Sequence, residues 1–135
     1  MDKMQEMLEN SKTIAVIGMK NDEFEEAYKI PLYMKEHGYI IFAVNPTRSG
    51  KEIWDSVFYE KLSDIKESID MVNIFRRPEF LVEHAKEILE LNPLPKYAWF
   101  QLGIYNDEAA KMLEAKGIKV IQNRCIMVEH VRLYH

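Results

Sequence analysis

The strongest constraint on the fold is an alternation of short apolar runs with amphipathic, helix-like segments. The runs span residues 13–18, 40–44, 70–75, 97–102 and 118–121, and they are rich in β-branched and aromatic side chains. Because apolar residues are nearly continuous in them, they predict parallel strands that are covered on both faces. The intervening helical segments then predict an α/β fold with helices on both faces of a five-stranded sheet.

Caps and glycines mark the helices in the second half of the chain. The spacing of apolar residues in 79–91 predicts a helix with Pro78 at its first position, where proline is tolerated. Asn106 is a good cap for a further helix, which Gly117 ends.

A proline decides the predicted start of the helix after the first strand. Pro31 cannot lie deep inside a helix without loss of a hydrogen bond, so the helix is predicted to start near Tyr28. Residues 19–27 would then form a long loop. A leading helix is expected within residues 1–12 and a closing helix over 123–133.

Length and charge narrow the class of protein further. A chain of 135 residues favours a single domain over 1–135. A net charge of -4 argues against a nucleic-acid-binding face, which needs a basic surface. The lone Cys125 excludes an intramolecular disulfide and favours a reducing compartment. No apolar run is long enough to span a membrane and no signal peptide is recognisable, so we expect a cytoplasmic protein without a membrane partner.

The loops after the strands are the expected ligand-binding region. In parallel sheets, ligands bind outside the carboxyl ends of the strands. This rule selects residues 18–27, 45–51, 75–78, 102–106 and 122–124. Gly18 alone follows the first strand, so the glycine-rich fingerprint of NAD and FAD sites is absent.

Basic residues follow the second and third strands. Arg48 or Lys51 could neutralise a ribose-linked phosphate, although a solvated turn explains this segment equally well. Arg76 and Arg77 precede a predicted helix amino terminus, which favours an anion or a stacked adenine. The competing interpretation is surface pairing with Glu79 or with the carboxylates of residues 22–26 in the loop after the first strand.

The fourth and fifth strands end in polar groups of a different kind. Gln101 offers both a hydrogen-bond donor and an acceptor, and Gly103 would let a ligand approach the backbone, whereas Trp99 is expected in the core. Cys125 follows Arg124 near a helix start, where a thiol can become reactive. We favour the alternative that Cys125 is a buried, inert residue.

Five segments together resemble the small stand-alone CoA-binding domain proteins. They are AVIG from Ala15, HGYIIFAVNP from His37, DMVNIFRRPE from Asp70, WFQLGIYNDEAA from Trp99 and NRCIMVEH from Asn123. These proteins are similar to the amino-terminal domain of the succinyl-CoA synthetase alpha subunit. The resemblance covers most of residues 13–133 and implies a Rossmann-like, doubly wound sheet of order 3-2-1-4-5 that binds coenzyme A or an acyl-CoA.

The resemblance also implies roles for residues at each strand end. Those expected near the diphosphate are Gly18, Met19 and Lys20, and those near the ribose phosphate are Asn45, Pro46, Arg48 and Lys51. Phe75, Arg76 and Arg77 would border the adenine, and Gln101, Leu102 and Gly103 the pantetheine. Asn123, Arg124 and Cys125 complete the expected CoA site. No catalytic residue and no metal ligand is implied.

The loop after the first strand departs from the family pattern. Asp22, Glu23, Glu25 and Glu26 place carboxylates where a diphosphate is expected, and Ala27 is a poor cap before Tyr28.

Three functions therefore stay open from the sequence. The first is a CoA-binding module without catalysis of its own, which we favour because no nucleophile and base, metal cluster or ligase domain is recognisable. The second is an enzyme that uses Cys125 with Glu129 or His130 for thiol or acyl transfer. The third is a degenerate CoA-binding fold that acts as a regulatory or interaction protein.

Overall fold

A computed structural model describes residues 2–135, and a five-stranded parallel sheet forms its centre. The sheet contains β1 (Thr13–Ile17), β2 (Ile40–Val44), β5 (Met71–Ile74), β6 (Tyr97–Phe100) and β7 (Lys119–Ile121) in the order β2-β1-β5-β6-β7. A separate antiparallel hairpin pairs β3 (Glu52–Ile53) with β4 (Ser56–Val57). The five predicted strands, the parallel sheet and the Rossmann-like α/β class are thus confirmed.

The predicted strand order was wrong. Numbered along the chain, the five sheet strands lie in the order 2-1-3-4-5 instead of 3-2-1-4-5. The order 3-2-1-4-5 would place a strand beside β2, but of the described residues only Tyr59 pairs with β2 there. Its amide donates to the Ala43 carbonyl at 2.8 Å, and its carbonyl accepts from the Asn45 amide at 2.9 Å. The chain then crosses over and pairs β5 with the free side of β1.

Helices cover both faces of the sheet. One face carries α1 (Lys3–Glu9), α2 (Glu26–Glu36) and α5 (Ile126–Tyr134), and the other carries α3 (Leu81–Leu89) and α4 (Asp107–Glu114). Side chains alternate between the faces, so Ala15 and Ile17 of β1 pack toward α3 and α4 while Ile14 and Val16 pack toward α2. None of the described helices has the length and apolar character that a membrane crossing requires.

Several helix ends differ from the sequence-based boundaries. The leading helix is shorter than residues 1–12, and Met1 lies outside the described residues. A 3-10 turn over Pro78–Phe80 precedes α3, so Pro78 begins the turn rather than the helix. The closing helix starts at Ile126 instead of residue 123, because Asn123 has a left-handed φ of 57° and Cys125 has an extended backbone, which helical residues do not adopt.

The helix α2 starts two residues before Tyr28 and contains Pro31. Proline has no N–H, so the Ala27 carbonyl four residues earlier has no donor within the helix. The Lys20 amide donates to that carbonyl at 3.1 Å. The loop after β1 is therefore fastened to α2, and the predicted loop over 19–27 is shorter.

A cluster of aromatic rings joins α2 to α5. The Tyr33 hydroxyl and His130 Nδ1 are 2.8 Å apart, and Tyr33 stacks on His37 with ring centroids 4.0 Å apart. His37 and His135 lie 5.3 Å and 6.1 Å from His130 between ring centroids. Burial, and then the nearby charges of His37 and His135, lower the pKa of His130 below its usual 6.5.

Because the pKa of His130 is lowered in this cluster, we expect the folded protein to be less stable in mild acid. In the unfolded chain His130 is protonated below about pH 6.5. In the folded chain the pKa of His130 is lower, so protonation in this range favours the unfolded state. The free energy of unfolding should therefore fall as pH drops from about 6.5 toward 5. Urea unfolding at several pH values in this range measures the change. In His130→Phe the free energy of unfolding should depend less steeply on pH. Equal slopes for both proteins would contradict this role of His130.

Candidate functional site

The main pocket of the described residues lies at the carboxyl edge of the parallel sheet, and we call it the carboxyl-edge pocket. Its volume is about 810 Å³, which is within the range of small-molecule sites. The loops after β1, β5 and β6, the starts of α2 and α5 and the turn before α3 line it. Its position agrees with the rule for ligand sites in parallel sheets.

The pocket brings together one part of the residues predicted from the sequence. These are Gly18, Lys20, Phe75, Arg76, Arg77, Gln101, Leu102, Gly103 and Cys125. The others, which do not line it, are Met19, Asn45, Pro46, Arg48, Lys51, Asn123 and Arg124. Whether any of them binds CoA stays a prediction.

Four of the residues outside the pocket make contacts within or between the loops that follow the strands. Met19 is buried, and its carbonyl accepts a hydrogen bond from Asn45 Nδ2 at 2.9 Å. Arg48 Nε donates to Asn21 Oδ1 at 2.9 Å, so this guanidinium is bonded to the loop after β1. Asn123 Oδ1 accepts from the Gly103 amide at 2.7 Å. Asn45 and Asn123 therefore position neighbouring loops.

The floor of the pocket depends on a close approach between two strand ends. Gly18 has a φ of +82°, and a Cβ built on it would lie 2.3 Å from the Phe75 carbonyl oxygen. Only glycine combines this backbone geometry with this contact. The segment after β5 can therefore lie directly against the end of β1.

Two guanidinium groups form the cationic side of the pocket. Arg76 lies over the Phe80 ring, with 4.5 Å between its guanidinium carbon and the ring centroid. Within residues 2–135, neither Arg76 nor Arg77 forms an ion pair within 4.0 Å, so the pairing with Glu79 that the sequence left open does not occur. Two cations thus border the pocket without a protein counter-charge in direct contact.

The start of α2 contributes carboxylates on the other side. Glu25 precedes the helix without capping it through its side chain, and its Oε2 lies 3.5 Å from Lys20 Nζ. Glu25 and Glu26 both line the pocket. The cap is therefore at Glu25 and not at Ala27, because Ala27 already belongs to the helix.

Seven lining residues were not among the individual site residues predicted from the sequence, although all except Ile30 lie in the loops predicted to bind a ligand. They are Phe24, Glu25, Glu26, Ala27, Ile30, Pro78 and Ile104. Glu26 and Ile30 are one helical turn apart, so an earlier helix start would have indicated that they share a face. Phe24 is 77% exposed and lines the pocket, so it offers an aromatic surface there.

Gln101 provides the most specific polar feature. Its Oε1 accepts hydrogen bonds from the Ile126 amide at 3.2 Å and from Asn73 Nδ2 at 3.3 Å. Two donors at one atom assign that atom as the oxygen, so the amide nitrogen must be on the other side. Gln101 is only 4% exposed, and its Nε2 has no hydrogen-bond partner among the described residues.

Cys125 is both buried and adjacent to the pocket. Its residue is 8% exposed and packs in the apolar cluster beneath α5, as favoured from the sequence, yet it also lines the pocket. Glu129, its suggested partner, accepts instead from Arg132 Nε at 2.8 Å. Among residues 2–135 no three His, Cys, Asp or Glu side chains are grouped so as to hold a metal ion.

Fold and pocket together define a Rossmann-like α/β protein with a small-molecule-sized pocket at its strand ends. Residues 12–131 match the family described as the CoA binding domain. The chain belongs to this family, which confirms the resemblance found in the sequence.

Proteins with similar sequences and structures match this chain over nearly its whole length. It is 38% identical over 130 residues to the uncharacterized protein YneT of Bacillus subtilis, a match that covers 94% of this chain and 91% of YneT. A solved structure from Thermus thermophilus is similar with a TM-score of 0.93 and 38% identity, covering 99% of this chain and 100% of that one. A hypothetical protein from Pyrococcus horikoshii has a TM-score of 0.90 and 32% identity, covering 98% and 90%.

Proposed function

We propose that this protein is a binding module for coenzyme A or an acyl-CoA, which it holds in the carboxyl-edge pocket. The observation that carries the proposal is the placement of Arg76 and Arg77, two cations without protein ion-pair partners, beside an ~810 Å³ pocket in a member of the CoA binding domain family. A CoA diphosphate and ribose phosphate supply the anionic groups that guanidinium groups prefer.

The order of the strands gives the proposed ligand a direction. Gly18, Arg76 and Arg77 follow β1 and β5, whereas Gln101 and Cys125 follow β6 and β7. Adjacent strands are about 4.8 Å apart, so these two groups succeed each other along the edge of the sheet. The proposed CoA therefore extends from its phosphates near β1 and β5 to its uncharged thiol end near β6 and β7.

The residues fit this ligand with one opposing feature. Gly18 lets backbone approach backbone at the proposed phosphate end, and Ile30 and Ile104 supply apolar surface for the pantetheine. The carboxylates of Glu25 and Glu26 face the same pocket and would repel a diphosphate. They favour the second candidate function, a regulatory or interaction protein that has lost CoA.

Thermal unfolding with millimolar CoA tests the proposal. A ligand at 100 times its dissociation constant adds about 2.7 kcal/mol to the free energy of unfolding, so the melting temperature should rise measurably. Arg76→Gln should reduce this rise because it removes one pocket cation. Lys66→Gln is the matched control, since Lys66 is exposed and lies before β5, away from the pocket.

The pattern of shifts separates the two candidate functions. If CoA, dephospho-CoA, ATP and NAD all leave the melting temperature unchanged, the CoA-binding proposal is wrong and the interaction protein is favoured. An equal loss of the CoA shift in Arg76→Gln and Lys66→Gln would place the ligand elsewhere. The single cysteine fits a reducing compartment, so the proposed location is the cytoplasm.

A further inference from the structure

We infer that the carboxyl-edge pocket recognises the carbonyl of an acyl thioester through Gln101 Nε2, so the preferred ligand is an acyl-CoA rather than free CoA. This inference rests on the proposed function and adds the chemical class of the ligand. It starts from the amide nitrogen of Gln101, which is buried without a partner among the described residues and belongs to a residue that lines the pocket.

The side chain of Gln101 is fixed from behind. Asn73 Nδ2, which also donates to the Trp99 carbonyl at 3.0 Å, and the Ile126 amide both donate to its Oε1. A flipped amide would set an NH2 group against two donors. The donor atom Nε2 is therefore held in one position by β5 and by the first residue of α5.

A donor held in this way requires an acceptor from outside the protein. Nε2 is buried, has no protein partner among the described residues, and belongs to a residue that lines the pocket. Leaving a buried donor unpaired is unfavourable, so the occupied pocket should supply an oxygen there. A thiol sulfur is only a weak acceptor, whereas a thioester carbonyl oxygen is a good one.

The surroundings fit the acyl end of the ligand. Gln101 is adjacent to Cys125 and Ile126 at the β6 and β7 end of the pocket, beyond the strands that Gly18 and Arg76 follow. Exposed Leu102 and partly buried Ile104 flank the same end, so an apolar acyl group would have contacts there. A charged phosphate at this position would instead lie farther from the two guanidinium groups.

Calorimetric titration of three ligands tests the inference without any variant. Acetyl-CoA and S-ethyl-CoA carry the same two-carbon chain on sulfur, but the thioether has a methylene group in place of the thioester carbonyl. Wild-type protein should bind acetyl-CoA about tenfold more tightly than S-ethyl-CoA, which corresponds to one buried hydrogen bond. Free CoA should bind about as weakly as S-ethyl-CoA.

Variants of Gln101 then assign the preference to its amide. Gln101→Glu keeps an oxygen for the Ile126 and Asn73 donors but replaces the amide donor by a second oxygen, so the preference for acetyl-CoA should disappear. Gln101→Met should also remove it, and melting curves report whether each variant folds. Gln5→Met is the control, because Gln5 lies on α1 and donates to Glu9 away from the pocket; it should keep the tenfold preference.

The outcomes distinguish this inference from the proposed function. Equal affinities of wild-type protein for acetyl-CoA and S-ethyl-CoA would overturn the inference and leave CoA binding intact. If Gln101→Glu lowered the affinity for all three ligands equally, the inference would also be overturned, because Gln101 would then contact a pantetheine amide that the three ligands share. If none of the three ligands binds, the proposed function fails together with the inference.

Discussion

Replacement of Trp99 by alanine is expected to lower the free energy of unfolding by about 3–5 kcal/mol, the range for deletion of a large buried aromatic ring. Trp99 is 0% exposed and packs with Met7, Leu8 and Ile126 between the sheet and its helices. Its indole N–H also donates to the Arg124 carbonyl at 2.9 Å. The substitution therefore removes both core volume and a support of the loop before Cys125. Urea unfolding gives the change.

Two comparisons make the Trp99 prediction specific. Trp99→Phe keeps most of the ring and loses the hydrogen bond, so it should cost less than the alanine variant. Trp54→Ala removes the same side chain from the hairpin between β3 and β4, where Trp54 is only partly buried. If Trp99→Ala were no more destabilising than Trp54→Ala, the central packing of Trp99 would be refuted.

Gly18→Ala is expected to destabilise the protein by about 2–5 kcal/mol. The left-handed backbone costs a non-glycine residue roughly 1–2 kcal/mol, and overpacking against a fixed neighbour adds about 1–3 kcal/mol. The neighbour here is the Phe75 carbonyl, 2.3 Å from the added Cβ, which cannot move without separating the ends of β1 and β5. Equilibrium unfolding in urea measures the total cost.

Gly50 offers a matched control for the backbone contribution. Its φ is +83°, nearly that of Gly18, but an added Cβ would meet no heavy atom within 4 Å. Gly50→Ala should therefore cost only the conformational part, about 1–2 kcal/mol. Similar losses in Gly18→Ala and Gly50→Ala would mean that the close approach of β1 and β5 contributes nothing.

Local patterns predicted the strands because most of their positions are buried and therefore apolar, although the edge strand β7 begins with the exposed Lys119. The order of the strands depends on the connections that cross between them, and no local sequence pattern reports these. Nothing in the sequence indicates that Tyr59 forms a single parallel bridge with β2, or that β5 pairs with the other side of β1. The two-residue strands of the hairpin are also too short to give a periodic signal.

The site was predictable as a set of loops but not as a set of side chains. The rule for strand ends selected the loops that contain Arg76 and Gly103, and both residues line the pocket, as does Gln101 at the end of the preceding predicted strand. It could not distinguish these residues from Asn45 and Arg48, whose side chains turn toward Met19 and Asn21 in the neighbouring loop. Such pairings join residues more than twenty positions apart, so they are determined by tertiary structure.

The proline within α2 has a consequence for how the pocket wall keeps its shape. In a regular helix the backbone carbonyls accept hydrogen bonds from amides one turn later. A neighbouring loop can then form hydrogen bonds only with the side chains of the helix. Pro31 leaves the Ala27 carbonyl available, and the Lys20 amide uses it. The segment 18–27 is thus joined to α2 by a hydrogen bond between two main-chain atoms, and substitution of its acidic side chains would leave that bond in place.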